Sequence, residues 1–244
     1  MDELLAGVLD AHGGLDNWNR ATKLTVRLSL GGPFWAGRGW PDVYRRQTVT
    51  LDPHREHITF VPFTAPDRVS VLDADPERVA IRTTGGELVE GRTDPRSSFP
   101  VPFDWGTTRW DAIQVAYFTS AAVWNYLTEP FGLSYPGVEA HEIDPWDEDG
   151  ETWRRLAVTF PKSNANHNRD QVFYFDEDFM QRRLDYLPDL TGSMVAHYTH
   201  DPKTFGGLVF PTTRLVHLRD ANGVADQSAA GITIHLAAVS VDRR

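Results

Sequence analysis

Two histidine pairs, His54 with His57 and His197 with His200, are the first places to look for metal chemistry in this chain. Zinc hydrolases aim two imidazoles at one ion from a helix, where residues a turn apart share a face. Neither pair lies in a helical pattern, and on a strand the spacing i, i+3 sends the rings to opposite faces. They read as ordinary polar strand residues, and no metal is expected. The acidic run Asp144, Asp147, Glu148, Asp149 and Glu151 suggests calcium by density alone. It lacks EF-hand spacing, and its Asp149-Gly150 pair is a hairpin signal between two strand-like runs. Ser97, Ser98, Ser120 and Ser193 have no G-x-S-x-G elbow and no alternating βα order to present one. The glycine pairs adjoin turns and open no helix, so no phosphate loop or dinucleotide fingerprint exists and no cofactor is expected. The absence of cysteine excludes disulfides, thiolate metal sites and a cysteine nucleophile.

Strand parity supplies a more specific argument. Alternation places Met194, Ala196 and Tyr198 on one apolar face together with His200. By the same rule Leu184 and Tyr186 share a face with Arg182, and Leu208, Phe210, Val216 and Leu218 share one with Arg214. A guanidinium held among hydrophobes requires a partner and can anchor a carboxylate or enolate. A tyrosine or histidine beside it can move a proton. Tyr186, Tyr198 and His200, with His167 from the loop SNANHNRD, are therefore the catalytic candidates if the protein is an enzyme, and Arg182 and Arg214 are ligand anchors. The plainer alternative pairs these arginines with Asp185, Asp176 or Glu142 as strand clamps and leaves His167 exposed. Trp35, Trp40, Phe99, Trp105, Tyr117 and Trp124 are candidate pocket linings, as Phe34 is. Trp35 and Trp40 flank a glycine-rich segment and Trp105 lies in a proline-rich loop, which suits a rim; a solid core is the alternative.

These side chains must be positioned by a mainly β scaffold. One helix stands out: WDAIQVAYFTSAAVWNY, Trp110 to Tyr126, carries apolar residues at helical spacing on one side and Val115, Ala122, Val123 and Tyr126 on the other. Such a helix is buried nearly all round. A buried helix in a β-rich chain implies a curved sheet wrapped on it, hence a cavity. Asp2 to Ala11 reads as a short amphipathic helix stopped by Gly13-Gly14. Strands are expected at Lys23 to Leu30, Tyr44 to Leu51, His57 to Val61, Arg68 to Leu72, Val79 to Thr83 and Leu88 to Arg92. Beyond the helix they recur at Val138 to Ile143, Thr152 to Phe160, Gln171 to Phe175, Arg182 to Tyr186, Met194 to His200, Leu208 to Leu218 and Ile232 to Val241. Short connections make neighbours antiparallel, and about a dozen strands suit a closed or nearly closed sheet. The loop Thr93 to Thr108 holds Phe99, Phe103 and Trp105, which suits packing over a cavity mouth more than an interdomain linker, so residues 1–244 read as a single domain.

A net charge of −10, without a basic stripe, argues against a nucleic-acid partner. The uncharged run Ala112 to Thr128 is short for a membrane span and contains Gln114, Thr119, Ser120 and Asn125. The opening MDELLAGVLDAHGG has acids where a signal peptide has a basic region and lacks the following apolar run, which favours a cytoplasmic location.

AHGGLDNW at His12 to Trp18 leading into KLTVRLSL, together with GLVFPTTRLVHLRDANG and ITIHLAAVSVD near the C-terminus, resembles the LolA-like superfamily of bacterial lipoprotein carriers. The resemblance covers both ends of the chain. It implies an unclosed antiparallel β-barrel covered by helices, enclosing an apolar cavity for acyl chains or other lipophilic ligands. A periplasmic carrier is exported, whereas no export signal is visible here, so the expectation is a cytosolic relative that binds a lipophilic or aromatic small molecule. The alternative is a cofactor-independent cyclase, isomerase or lyase that uses the same cavity to fold a substrate and exclude water. A third reading is a protein-interaction module with an exposed aromatic patch.

Overall fold

The computed structural model describes residues 2–244. Helix α1 (Glu3–Ala11) starts where the Asp2 carboxylate accepts the Leu4 amide at 2.9 Å, and it buries Leu4, Leu5, Val8 and Leu9. It stops at Gly13, whose φ is +113°. A Cβ there would lie 2.2 Å from the Gly207 carbonyl oxygen, so both backbone angle and space require glycine. Helix α2 (Leu15–Asn19) turns the chain into β1 (Ala21–Gly31), where Leu24, Val26, Leu28 and Leu30 are buried at alternate positions.

The segment GGPFWAGRG, which reads as a break, forms a helix, α3 (Pro33–Arg38). Proline begins it and Gly39 ends it at a left-handed φ of +96°. Strands β2 (Gln47–Asp52), β3 (His57–Val61), β4 (Arg68–Ala74), β5 (Glu77–Thr83) and β6 (Leu88–Thr93) follow as an antiparallel meander. A loop containing a 3-10 turn, Pro95–Ser98, then leads to α4 (Ala112–Thr128). The second meander comprises β7 (Glu139–Glu148), β8 (Glu151–Thr159), β9 (Asp170–Phe175), β10 (Gln181–Tyr186), β11 (Val195–Phe205), β12 (Leu208–Leu218) and β13 (Ile232–Arg243). Asp149 and Gly150, both with positive φ, make the tight hairpin expected between β7 and β8.

All thirteen strands belong to one sheet, in the order β6-β5-β4-β3-β2-β1-β13-β12-β11-β10-β9-β8-β7. The first and last strands pair at its middle, and β6 and β7 are its unpaired edges, so the barrel is unclosed. Helix α4 is held inside it and packs on β3, β4 and β5. Its N-terminus has a capping box: Asp111 accepts the Gln114 amide at 2.8 Å and Gln114 Oε1 accepts the Asp111 amide at 2.9 Å. Every residue from Ile113 to Thr128 is buried. Among the described residues no helix is long and apolar enough to cross a membrane.

Most polar groups on this helix have a partner, whereas the buried Thr119 and Ser120 hydroxyls have none among the described residues. Tyr117 donates to Glu77, Trp124 Nε1 donates to the Asp52 carbonyl at 2.8 Å, and Asn125 donates to the Ala121 and Ala165 carbonyls. At the C-terminal end Arg214 Nη2 donates to the Tyr126 carbonyl at 2.8 Å and to Glu129 at 2.9 Å. A cation there suits the negative end of the helix dipole.

Candidate functional site

Between α4 and the inner face of β1, β12 and β13 lies a cavity of about 180 Å³. The helix contributes Phe118, Ala122 and Val123, and the sheet contributes Leu30, Val216 and Ile234. All are apolar and buried. Trp105 and Leu218, respectively 45% and 50% exposed, stand at the mouth. Tyr126, Tyr186 and His167 lie together on the buried wall, whose other buried polar residues are Thr119, Thr191 and His217. The volume slightly exceeds the ~150 Å³ of an engineered apolar cavity that takes up benzene, and it falls below the ~300–1,000 Å³ of drug-sized sites. A single ring or short alkyl chain fits inside; a longer tail must leave through the mouth.

The Tyr126 and Tyr186 hydroxyls are 2.7 Å apart. His167 lies tilted against Phe118 at 4.1 Å between ring centroids and stacks on Tyr186 at 5.6 Å. Burial, reinforced by Arg96, lowers its pKa to about 3, while burial raises both tyrosines above their ordinary value. All three are therefore neutral at physiological pH. Behind them, His197 packs edge-on against Tyr126 at 4.6 Å, and neither of its ring nitrogens has a partner. Burial holds His197 well below the usual histidine range.

Parity fails on two strands. His197, expected on the polar face of β11, points inward, whereas Ala196, Tyr198 and His200 point outward. Tyr198 joins Trp153, Tyr174 and Ala196 in a separate apolar cluster on the outer face and donates to Glu148; His200 is exposed beside it. A sheet with apolar clusters on both faces gives alternation no unique direction. On β10 the pairing slips between Gln181 and Arg183. This bulge turns Gln181 inward to Glu129 and leaves Arg182 outside, over the Trp153 ring and paired with Glu151 at 2.9 Å and Asp176 at 3.3 Å. Tyr198, His200 and Arg182 thus lie away from the cavity they were expected to serve.

Tyr186 does project inward. Arg214 does so too, but its charge is taken up by Glu129, a partner outside the three carboxylates considered from sequence. His167 is 7% exposed, contrary to the plain reading of its loop. Of the aromatic candidates, Phe34, Trp35 and Trp105 line the cavity. Trp40 donates to the Trp110 carbonyl, Phe99 packs edge-on to Trp110, and Tyr117 faces Glu77. Trp124 lines a second cavity of about 150 Å³ with Glu56 and Asn164. His54 and His57 are held apart by the Ala21 carbonyl and the Asp73 carboxylate. Tyr126 and His197 were missed as site residues. The all-round apolar helix hid the first, and the wrong choice of face hid the second.

No protein-family model and no curated protein matches the chain. Among solved structures it is similar to a LolA superfamily protein from Nitrosomonas europaea, with a TM-score of 0.53, 8% identity, and coverage of 98% of this chain and 93% of that one. It is also similar to a DUF1329 family protein from Desulfovibrio piger, with a TM-score of 0.52, 13% identity, and coverage of 99% and 94%. Identities this low speak for the fold alone. The thirteen-stranded unclosed antiparallel barrel around a buried helix is the LolA-like fold that both ends of the sequence resemble.

Proposed function

We propose that the protein binds a lipophilic or aromatic small molecule between α4 and the sheet. The carrying observation is the cavity: an apolar space of about 180 Å³ bounded by Phe118, Ala122, Val123, Val216 and Ile234 and reached past Trp105 and Leu218. The LolA-like fold supports a cavity of this kind. Each methylene a ligand buries there contributes about 0.8 kcal/mol, so affinity rises about fourfold per added carbon until the cavity is full.

Native mass spectrometry of the purified protein is expected to detect a bound compound that denaturation releases unchanged. In titrations with short alkyl and single-ring compounds, quenching of Trp35 and Trp105 reports occupancy. Ala122→Phe places a ring in the cavity and is expected to weaken binding more than thirtyfold while the protein stays folded. Undiminished affinity in that folded variant contradicts the site.

Catalysis in the same cavity is the second reading, favoured by Tyr186 and His167 on its wall. Their proton affinities count against it. A histidine with a pKa of about 3 is a weak base at neutral pH, and a tyrosine raised above its ordinary value is a weak acid. Binding is the function the geometry supports best.

A further inference from the structure

Besides Thr119, Thr191, His217 and Asp226, the polar part of the largely apolar cavity wall is where Tyr126, Tyr186 and His167 meet, and the hydrogen-bond arithmetic there is incomplete. Two hydroxyls carry two hydrogens. The contact of 2.7 Å uses one of them, and among the described residues no acceptor takes the other. The neutral His167 ring has one N–H and one bare nitrogen, and neither bonds within the described protein. A donor and an acceptor are therefore left on the wall of a buried apolar space, where unpaired polar groups are costly. Behind these side chains a void of only about 10 Å³ continues toward Asn125, Asn166 and Gln171, at the lower limit for one water molecule.

Resting on the binding function proposed above, we infer that Tyr126, Tyr186 and His167 form an anchor for an uncharged oxygen, a hydroxyl or carbonyl, on an otherwise apolar ligand. The free tyrosine hydrogen donates to the ligand oxygen, and the bare imidazole nitrogen accepts from a ligand hydroxyl. A carboxylate is refused because the neighbouring cations are already paired. Arg214 is bound to Glu129, and Arg96 to Asp189 and the Asn166 carbonyl. An anion entering this end finds no uncompensated positive charge, and burying it without one costs far more than burying a neutral oxygen. The ligand enters oxygen first, with its apolar end toward Trp105 and Leu218.

The test uses the full chain and three probes of one chain length, 1-hexanol, hexanoate and hexane, followed by tryptophan fluorescence. On the native protein 1-hexanol is expected to bind at least tenfold more tightly than hexanoate. The double substitution Tyr126→Phe with Tyr186→Phe removes both hydroxyls and keeps both rings, a change that leaves no new unpaired group between them. It is expected to lower 1-hexanol affinity about tenfold and not to lower that of hexane. Hexanoate binding as tightly as 1-hexanol overturns the anchor, as does 1-hexanol affinity unchanged in the folded double variant; in both cases the cavity function stands. Failure of all three probes to bind overturns the cavity function and the anchor with it. The ranking on the native protein decides the matter by itself if the double variant does not fold.

Discussion

Replacing His167 with phenylalanine is expected to make the protein more resistant to acid. In the folded state burial holds this imidazole at a pKa of about 3, against the ordinary histidine value of 6.5 that applies once the chain unfolds. Below pH 6.5 the unfolded chain takes up a proton that the folded chain refuses, so stability falls with pH at up to about 1.4 kcal/mol per pH unit for this one group. The loss begins near pH 6.5 and continues toward pH 3. Between pH 7.5 and 5.0 it amounts to about 2 kcal/mol, a substantial part of the ~5–15 kcal/mol that stabilises a typical domain.

The native pH profile alone cannot isolate this effect, because other groups titrate in the same range. His197 adds a loss of the same sign. Glu56 and Glu129, raised mainly by burial, act oppositely, since the folded state holds their protons more tightly and gains stability as the pH falls through their folded values. The difference between native protein and variant removes these shared contributions. Phenylalanine keeps the ring that packs on Phe118 and Tyr186. Urea unfolding of both proteins at pH 7.5 and 5.0 is the assay. The stability difference, variant minus native, is expected to move by about 2 kcal/mol in favour of the variant between those pH values. Parallel profiles for the two proteins would falsify the assignment of a buried neutral imidazole.

Two further substitutions test the scaffold. Trp124→Ala is expected to cost about 3–5 kcal/mol, because the indole is 4% exposed and its N–H bonds the Asp52 carbonyl; an unchanged denaturation midpoint contradicts this placement. Arg183→Ala, on the outer face, is expected to cost about 3–5 kcal/mol by removing the fully buried guanidinium that lies 2.6 Å from both Asp185 and Glu148, which leaves Asp185 with Arg219 and Tyr174 and Glu148 with neutral donors only. A urea-determined loss below about 1 kcal/mol would show that those carboxylates are readily hydrated once the arginine is gone.

The sequence disclosed the scaffold better than the site because the two are encoded at different ranges. Leu24 to Leu30 alternate cleanly, since one face of β1 looks into the core, and the helix from Trp110 onward is apolar on every side because it is enclosed. Both signals are local. Pro33–Arg38 was invisible as a helix because it occupies six residues between glycines. The inward direction of β10 and β11 was not local information at all. It depended on a bulge at Gln181–Arg183 and on Trp153 and Tyr174 from other strands, which make the Ala196 and Tyr198 side apolar as well. Tyr186 and His167 meet across a sequence gap spanned by two strands, and only the assembled sheet brings them to one wall.

The pairing of β1 with β13 at the middle of the sheet has a consequence for biosynthesis. A ribosome releases β1 early and β13 last, so the seam that joins the two meanders stays open until translation has passed residue 243. Up to that moment the nascent chain exposes Leu24, Val26 and Leu28 beside an empty strand position. Such an edge is a template for pairing with another chain. Of all its strands, β13 therefore has the greatest leverage over whether newly made protein matures or aggregates, although of the cavity residues named above it supplies Ile234 alone.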